Sequence, residues 1–412
     1  MNYLQQYMKN TNKFYKYTKK ILTISHYPIL PPTYGGPIRI YNLYVNLIKY
    51  YKFKNFSLSL KNPFLKSKSL NTFNVNFFFL PIYSLIAFPF WLMKLSYGFI
   101  FSFYKILGKI PENLKKAIYS ADLIIIEEPY LFNWIYKIFP NKKYLIDCQN
   151  VEYDLVQQNY KYVNPILKKL VSYLIFKMEK YALQNADKIT AVSENDKKRL
   201  VKLYKINSQK IDVIKNGFTM YKKVENIVSK NFKKILKQKS GIDFEYLVIF
   251  VGSEHKPNKD ALKIIINLAK MPYKENVLFL IVGGVGNQNN NVYGQNIYYT
   301  GVVKDVNPYM QIADIAINPI ISGSGTNIKL LEYLSSGIPT ITTKKGARGI
   351  NDMNLSFIVS TINNFYLNIN ILLTDEKLRK TLSIKAMNLA SRLDNWQKIS
   401  KKMKLVIDKI IL

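Results

Sequence analysis

Much that would tie this chain to a simple function class is scarce or missing. One cysteine in 412 residues, Cys148, excludes an intramolecular disulfide framework and fits a reducing compartment. Two histidines, His26 and His255, leave little for histidine-based acid–base chemistry, and each reads most simply as a hydrogen-bonded loop residue. No His-Glu-x-x-His, Asp-x-Asp or paired-cysteine pattern occurs, so neither a metal nor another cofactor is expected. There is no Walker loop, which disfavours a nucleoside triphosphatase. Seventeen glycines and sixteen prolines exclude collagen-like and low-complexity chains. Acidic side chains are few: 26 against 60 Lys and Arg, a formal charge of +34.

That charge attracts nucleic acid, anionic lipid or phosphorylated ligands. It also has a compositional reading, in which an AT-rich coding sequence enriches Lys, Asn, Ile, Tyr and Phe and most lysines are solvated. Nucleic acid is disfavoured because no RRM-type aromatic signature, zinc-finger spacing or isolated basic helix accompanies the charge. Residues Met1–Lys20 are a basic extension with no apolar signal-peptide core, and Ile21–Ile24 reads as a buried strand. The long apolar stretch from Phe77 to Phe103 is broken by Pro81 and Pro89. It reads as a buried helix or an interfacial surface rather than a span. The expectation is a cytoplasmic protein, peripheral at the inner face of the membrane.

What is present is an alternation of short apolar runs with amphipathic stretches, the pattern of parallel sheets with helical crossovers. One series runs through Ile21–Ser25, Asp122–Glu127, Tyr144–Asp147, Lys188–Val192 and Ile211–Ile214. A second runs through Tyr246–Val251, Val277–Val282, Ile297–Thr300, Asp314–Asn318 and Thr340–Thr342, with helices over Lys259–Lys270 and Asn327–Ser336 and a helical remainder. Two α/β, Rossmann-like doubly wound domains facing across a cleft follow. They span residues 21–220 and 221–395, and the helix 396–412 returns to the first. Ligands bind such sheets outside the carboxyl ends of the strands.

The stretch PIISGSGTNIKLLEYLSSG, Pro319–Gly337, is the most informative. A strand ends, Gly323 and Gly325 loosen a loop, and a helix opens near Asn327. A helix start presents unpaired N–H groups and partial positive charge, a natural diphosphate site. Lys329 opposes the dipole in the first turn, which makes sense if an anion rests there. Glu332, three residues on, can accept both hydroxyls of a ribose, or form an ordinary surface pair with Lys329.

This stretch resembles the donor-binding motif of family 4 glycosyltransferases of the GT-B fold. Similar segments occur in the family's order. In the first half they are Tyr34-Gly35-Gly36, the Ile146–Glu152 segment, Ala186–Ser193 and Val213–Gly217. In the second they are Phe250–Ser253 with Pro257-Asn258, Thr300–Val303 and Gly337–Thr340. The resemblance implies a retaining, metal-independent hexosyltransferase that takes a UDP- or GDP-linked sugar to a glycan or lipid-linked acceptor. Glu332 would grip the ribose, Ser324, Gly325, Thr326, Asn327 and Lys329 would meet the diphosphate, and Lys259 would neutralise the leaving group with Lys256 nearby. Gly35 and Gly36 would face the phosphates from the first domain. Ser253, Gly301 and Val303 would complete the donor set, and His26, Gln149 and Asn150 the acceptor or sugar side. Three positions depart from the family: Ser253 for an arginine, Ser324 for the first carboxylate of its paired-glutamate motif, and Gln149 for a histidine. These departures leave open a non-catalytic partner subunit, and a sugar-nucleotide epimerase is the rival enzyme.

Overall fold

The computed structural model describes residues 19–32, 35–59, 67–70, 72–92, 98–160, 163–219, 226–286, 296–323, 327–350 and 355–411. Residues 1–18 of the basic extension and residues 324–326 therefore lie outside the described residues, and Lys20 opens the first strand.

The first domain is built on β1 (Lys20–Ser25), β2 (Lys52–Leu58), β3 (Ser67–Leu70), β4 (Phe73–Phe78), β5 (Leu123–Glu127), β6 (Tyr144–Cys148), β7 (Lys188–Ala191) and β8 (Ile211–Val213). They form one sheet in the order β3-β4-β2-β1-β5-β6-β7-β8, parallel except for the edge strand β3. The second domain holds β9 (Tyr246–Val251), β10 (Val277–Val282), β11 (Ile297–Gly301), β12 (Ile315–Asn318), β13 (Thr340–Thr342) and β14 (Ile358–Val359). Its order, β11-β10-β9-β12-β13-β14, is the 3-2-1-4-5-6 order of a Rossmann sheet. β5 and β10 are buried along their whole length because helices cover both faces of each sheet.

Strand order reverses between β1 and β5 in one sheet and between β9 and β12 in the other. At these switch points neighbouring crossovers leave on opposite faces, which opens a crevice at the carboxyl ends.

The sequence reading and the structure diverge in three places. The strands β2 to β4 carry Lys, Asn and Ser among their apolar residues and escape a search for continuous apolar runs. The expected all-helical remainder is interrupted by β14, two residues paired with β13 and too short to show a period. The helix expected from Lys259 begins at Lys256, because Pro257 is preset for a first helical turn.

The helix Trp396–Ile411 lies against the first domain's helix Gly35–Val45, sharing a core with Ile40, Leu43 and Tyr51. Ser400 donates to the Leu43 carbonyl at 2.9 Å, and the Tyr51 hydroxyl donates to Asp408 at 2.5 Å.

Beneath the crevice, Arg39 is fully buried and makes a bidentate pair with Asp147, 2.8 Å at each contact. Its remaining nitrogen donates to Asn216 Oδ1 at 2.9 Å and to the Lys215 carbonyl at 3.2 Å, and Thr190 donates to Asp147 at 2.6 Å. Removing one partner of such a pair strands a charge in low dielectric. Arg39→Met should lower the unfolding free energy by about 3–5 kcal/mol, read as a fall in the urea midpoint. Arg39→Lys should recover little, lacking the planar fork.

Candidate functional site

Loops from both switch points line one cleft of 410 Å³ between the domains. Tyr27 follows β1, Glu128 follows β5, and Gln149 and Asn150 follow β6. Opposite them stand the segment after β9, Ile320–Gly323 after β12, and Lys345 and Arg348 after β13.

Gly35 and Gly36 open a helix and line the cleft. A Cβ on Gly36 would sit 2.4 Å from the Tyr27 hydroxyl oxygen and 3.0 Å from Gln149 Oε1, so no larger residue fits without moving them. Gly35 has open space around it. Across the cleft, the helix Ile328–Ser335 starts from Asn327, whose side chain does not cap it but donates to Asn318 Oδ1 at 3.2 Å. Its first N–H groups therefore remain available for another acceptor. Gly323, at φ +105°, lets the preceding loop turn there, and its carbonyl accepts from Arg348 at 2.8 Å.

Lys329 and Glu332 both line the cleft, half-buried. They do not form an ion pair. The Lys329 ammonium donates to Asn258 Oδ1 at 2.6 Å and stands 4.4 Å above the Phe250 ring. Asn258 is held in turn by donating to Ser253 O and Oγ at 3.0 and 3.2 Å. Burial pulls Lys329 down to about 7, opposed by Glu332. Burial likewise pushes Glu332 up to about 7, opposed by Lys329. The Glu332 carboxylate makes no hydrogen bond among the described residues and stands ready for a ligand.

Lys259, the expected leaving-group cation, is not among the cleft-lining residues. Its ammonium is 2.9 Å from Glu254. The reason is the helix start at Lys256, which moves Lys259 a turn into the helix. Lys256 is paired with Asp260 at 3.6 Å and also stays out of the cleft. Gly301 and Val303 do not reach it either: the Gly301 carbonyl accepts from Gly283 at 2.9 Å, and Val303 packs on the second domain's core. Sequence reasoning passed over Glu128, Lys345 and Arg348, and quoted Asn258 without giving it a task. Only the position of Glu128 at a strand's carboxyl end signalled it.

The charges are divided. Lys329, Lys345 and Arg348 stand on the second domain's wall, while Glu128 is the acid of the first. The first wall's cation, Arg39, is already committed to Asp147. His26, beside Glu128 with 3.5 Å between Nε2 and Oε2, is held down to about 3 by burial and is therefore neutral. Among the described residues no three His, Cys, Asp or Glu side chains are grouped to hold a metal ion.

Comparison with known proteins places this architecture. A family model described as "Glycosyltransferase Family 4" matches residues 77–220, and one described as "Glycosyl transferases group 1" matches residues 245–375, one in each domain. The chain is a glycosyltransferase, a family 4 domain followed by a group 1 domain.

Solved structures similar to this glycosyltransferase carry the GT-B fold. Sucrose-phosphate synthase from Thermosynechococcus elongatus aligns over 95% of this chain and 98% of its own at 14% identity, with a TM-score of 0.68. HepE from Anabaena, in complex with UDP-glucose, aligns over 95% and 99% at 14% identity and 0.66. WaaG, a glycosyltransferase involved in lipopolysaccharide biosynthesis, aligns over 94% and 99% at 16% identity and 0.64. No curated protein matches the sequence of this glycosyltransferase significantly.

Proposed function

We propose that this glycosyltransferase transfers a sugar from a nucleotide-diphosphate sugar to a hydroxyl acceptor, with retention and without a metal. The carrying observation is the second-domain wall, where an uncapped helix start, three cations and an unpartnered Glu332 converge. HepE, similar in fold, has been captured with UDP-glucose, which supports the donor class. The diphosphate rests on the N–H groups of Asn327 and its neighbours, and Glu332 accepts the ribose hydroxyls. The acceptor oxygen attacks the anomeric carbon from the face the leaving group vacates. As the bond to the diphosphate breaks, the acceptor's proton passes to a diphosphate oxygen. Lys329 and Arg348 stabilise the charge that builds there, which leaves the protein chiefly positioning and electrostatics to supply. A thermal-shift screen of UDP- and GDP-sugars, with EDTA present, tests this. At 100 times Kd the matching donor should stabilise the fold by about 2.7 kcal/mol. No shift with any of them sinks the reading.

The acceptor is a glycan carried at a membrane. The helix Pro81–Leu92, within the apolar segment 77–103, buries Tyr83 and Ala87 and exposes Ile82, Leu85 and Phe88, with Leu85 77% exposed. Residues 93–97 of that segment lie outside the described ones. The turn Gly98–Ser102 packs against both this helix and the helix Pro165–Asn185, where Ile166 (80% exposed), Leu170 and Tyr173 are bare. Lys105, Lys109, Lys169 and Lys177 are exposed around them. Apolar anchors ringed by lysines suit an anionic headgroup layer. Among the described residues no helix is long and apolar enough to cross a membrane. The protein should co-sediment with phosphatidylglycerol vesicles at low salt, and Leu85→Glu with Ile166→Glu should abolish this. Failure of the unaltered protein to sediment overturns the membrane assignment.

A further inference from the structure

Glu128 is at φ 62°, ψ 159°, a region that glycine occupies and other residues almost never do. Pro129 accounts for the extended ψ, since a residue before proline is driven there, but nothing local accounts for the positive φ. The strain persists because Glu128 is clamped. Its N–H donates to the Asp147 carbonyl at 3.1 Å, its Oε1 accepts from Asn150 at 3.3 Å, and His26 lies 3.5 Å from its Oε2. The side chain is nine-tenths buried, yet it lines the cleft at the first sheet's own switch point, between the ends of β1 and β5. A glycine would satisfy the backbone there. A carboxyl group is held instead.

The surroundings fix what such a group can meet. Burial, reinforced by Glu152 and Glu127, raises Glu128 well above the usual carboxylate range. Neutral His26 packs against Tyr27, Phe101 and Tyr130, beside the Glu127 backbone. Tyr130 is bonded to Glu152 behind them. Apart from Arg39, whose three guanidinium nitrogens are all engaged, the basic groups of the cleft stand on the opposite wall. A neutral carboxyl both donates and accepts, as a sugar hydroxyl does, and a second anion here would be met by acids rather than cations.

We propose that Glu128, with His26 and Asn150, seats the acceptor and selects an uncharged polyhydroxylated ring over a phosphorylated one. This rests on the glycosyl-transfer reading above and names the acceptor class for it.

The test uses the full chain with octyl glucoside, octyl galactoside and their 6-phosphates. Saturation-transfer NMR should detect the neutral glycosides on the unaltered protein and not the phosphates. Glu128→Leu, which can neither donate nor accept, should weaken the neutral glycosides at least tenfold, while UDP or GDP binding stays within twofold. With a donor from the thermal-shift screen, the loss should appear in the acceptor KM. Glu128→Gly should abolish acceptor binding and raise Tm by a few degrees, because the strain is relieved. A merely structural glutamate would give a lower Tm instead. Preference for the phosphorylated glycosides, unchanged glycoside binding in Glu128→Leu, or a lower Tm in Glu128→Gly overturns the proposal. Failure of the donor reading shows separately, as absence of nucleotide binding to the unaltered protein.

Discussion

Lys329→Met should cut transfer by about 10²–10³-fold in kcat, the loss expected when one fixed group facing a developing oxyanion is removed from a water-poor site. Methionine keeps an unbranched apolar stem over Phe250, so the change isolates the charge. Lys259→Met should cost less than about threefold, because that ammonium is engaged by Glu254 at the edge of the site and an exposed pair contributes little. Asn258→Ala should fall between them, since it frees the Lys329 ammonium from its 2.6 Å tether without removing it. Steady-state kinetics on the three variants decide the matter. A Lys259 variant more damaged than the Lys329 variant would return the leaving-group role to the residue the family resemblance first indicated.

Glu332→Ala should weaken UDP or GDP by about two to four orders of magnitude, since it removes a charged acceptor from two ribose hydroxyls at about 1.5–3 kcal/mol each. The same site should show a bell-shaped pH dependence of nucleotide affinity with its maximum near 7. Glu332 titrates at about 7 in the free protein, and hydroxyl donors favour its ionised form, so its acidity rises on binding and affinity falls as pH drops below 7. Lys329 also titrates at about 7, and a diphosphate favours its charged form, so affinity falls as pH climbs above 7. Each limb should be at most about tenfold per pH unit. Glu332→Gln should flatten the acid limb and Lys329→Met the alkaline one, measured by titration calorimetry. A profile flat from pH 5.5 to 8.5 in the unaltered protein would remove the argument.

The uneven legibility of the site has a physical pattern. Glu332 and Lys329 share a helix whose start follows a strand and a glycine loop, so their placement in the crevice needs only local order and the switch-point rule. The task of Lys259 was assigned by position in a motif, and a helix beginning three residues early changed what its ammonium meets. Asn258 could not be read as the tether of Lys329 because the two are 71 residues apart and meet only when β9 and β12 lie side by side. The strain at Glu128 was silent for a different reason: it is a backbone angle imposed from outside the segment, and Glu-Glu-Pro carries no trace of it.

Periodicity was enough to divide the chain into two strand-and-helix series. Short apolar runs between amphipathic stretches can bury their surface only in parallel sheets covered on both faces. The order of its motifs was enough to point to a glycosyltransferase. What folding alone decided is the polarity of the cleft, with cations on one wall and a strained, neutralised carboxyl on the other. That polarity comes from groups far apart in the chain whose ionisation depends on who is buried beside them, and burial is a property of the packed molecule.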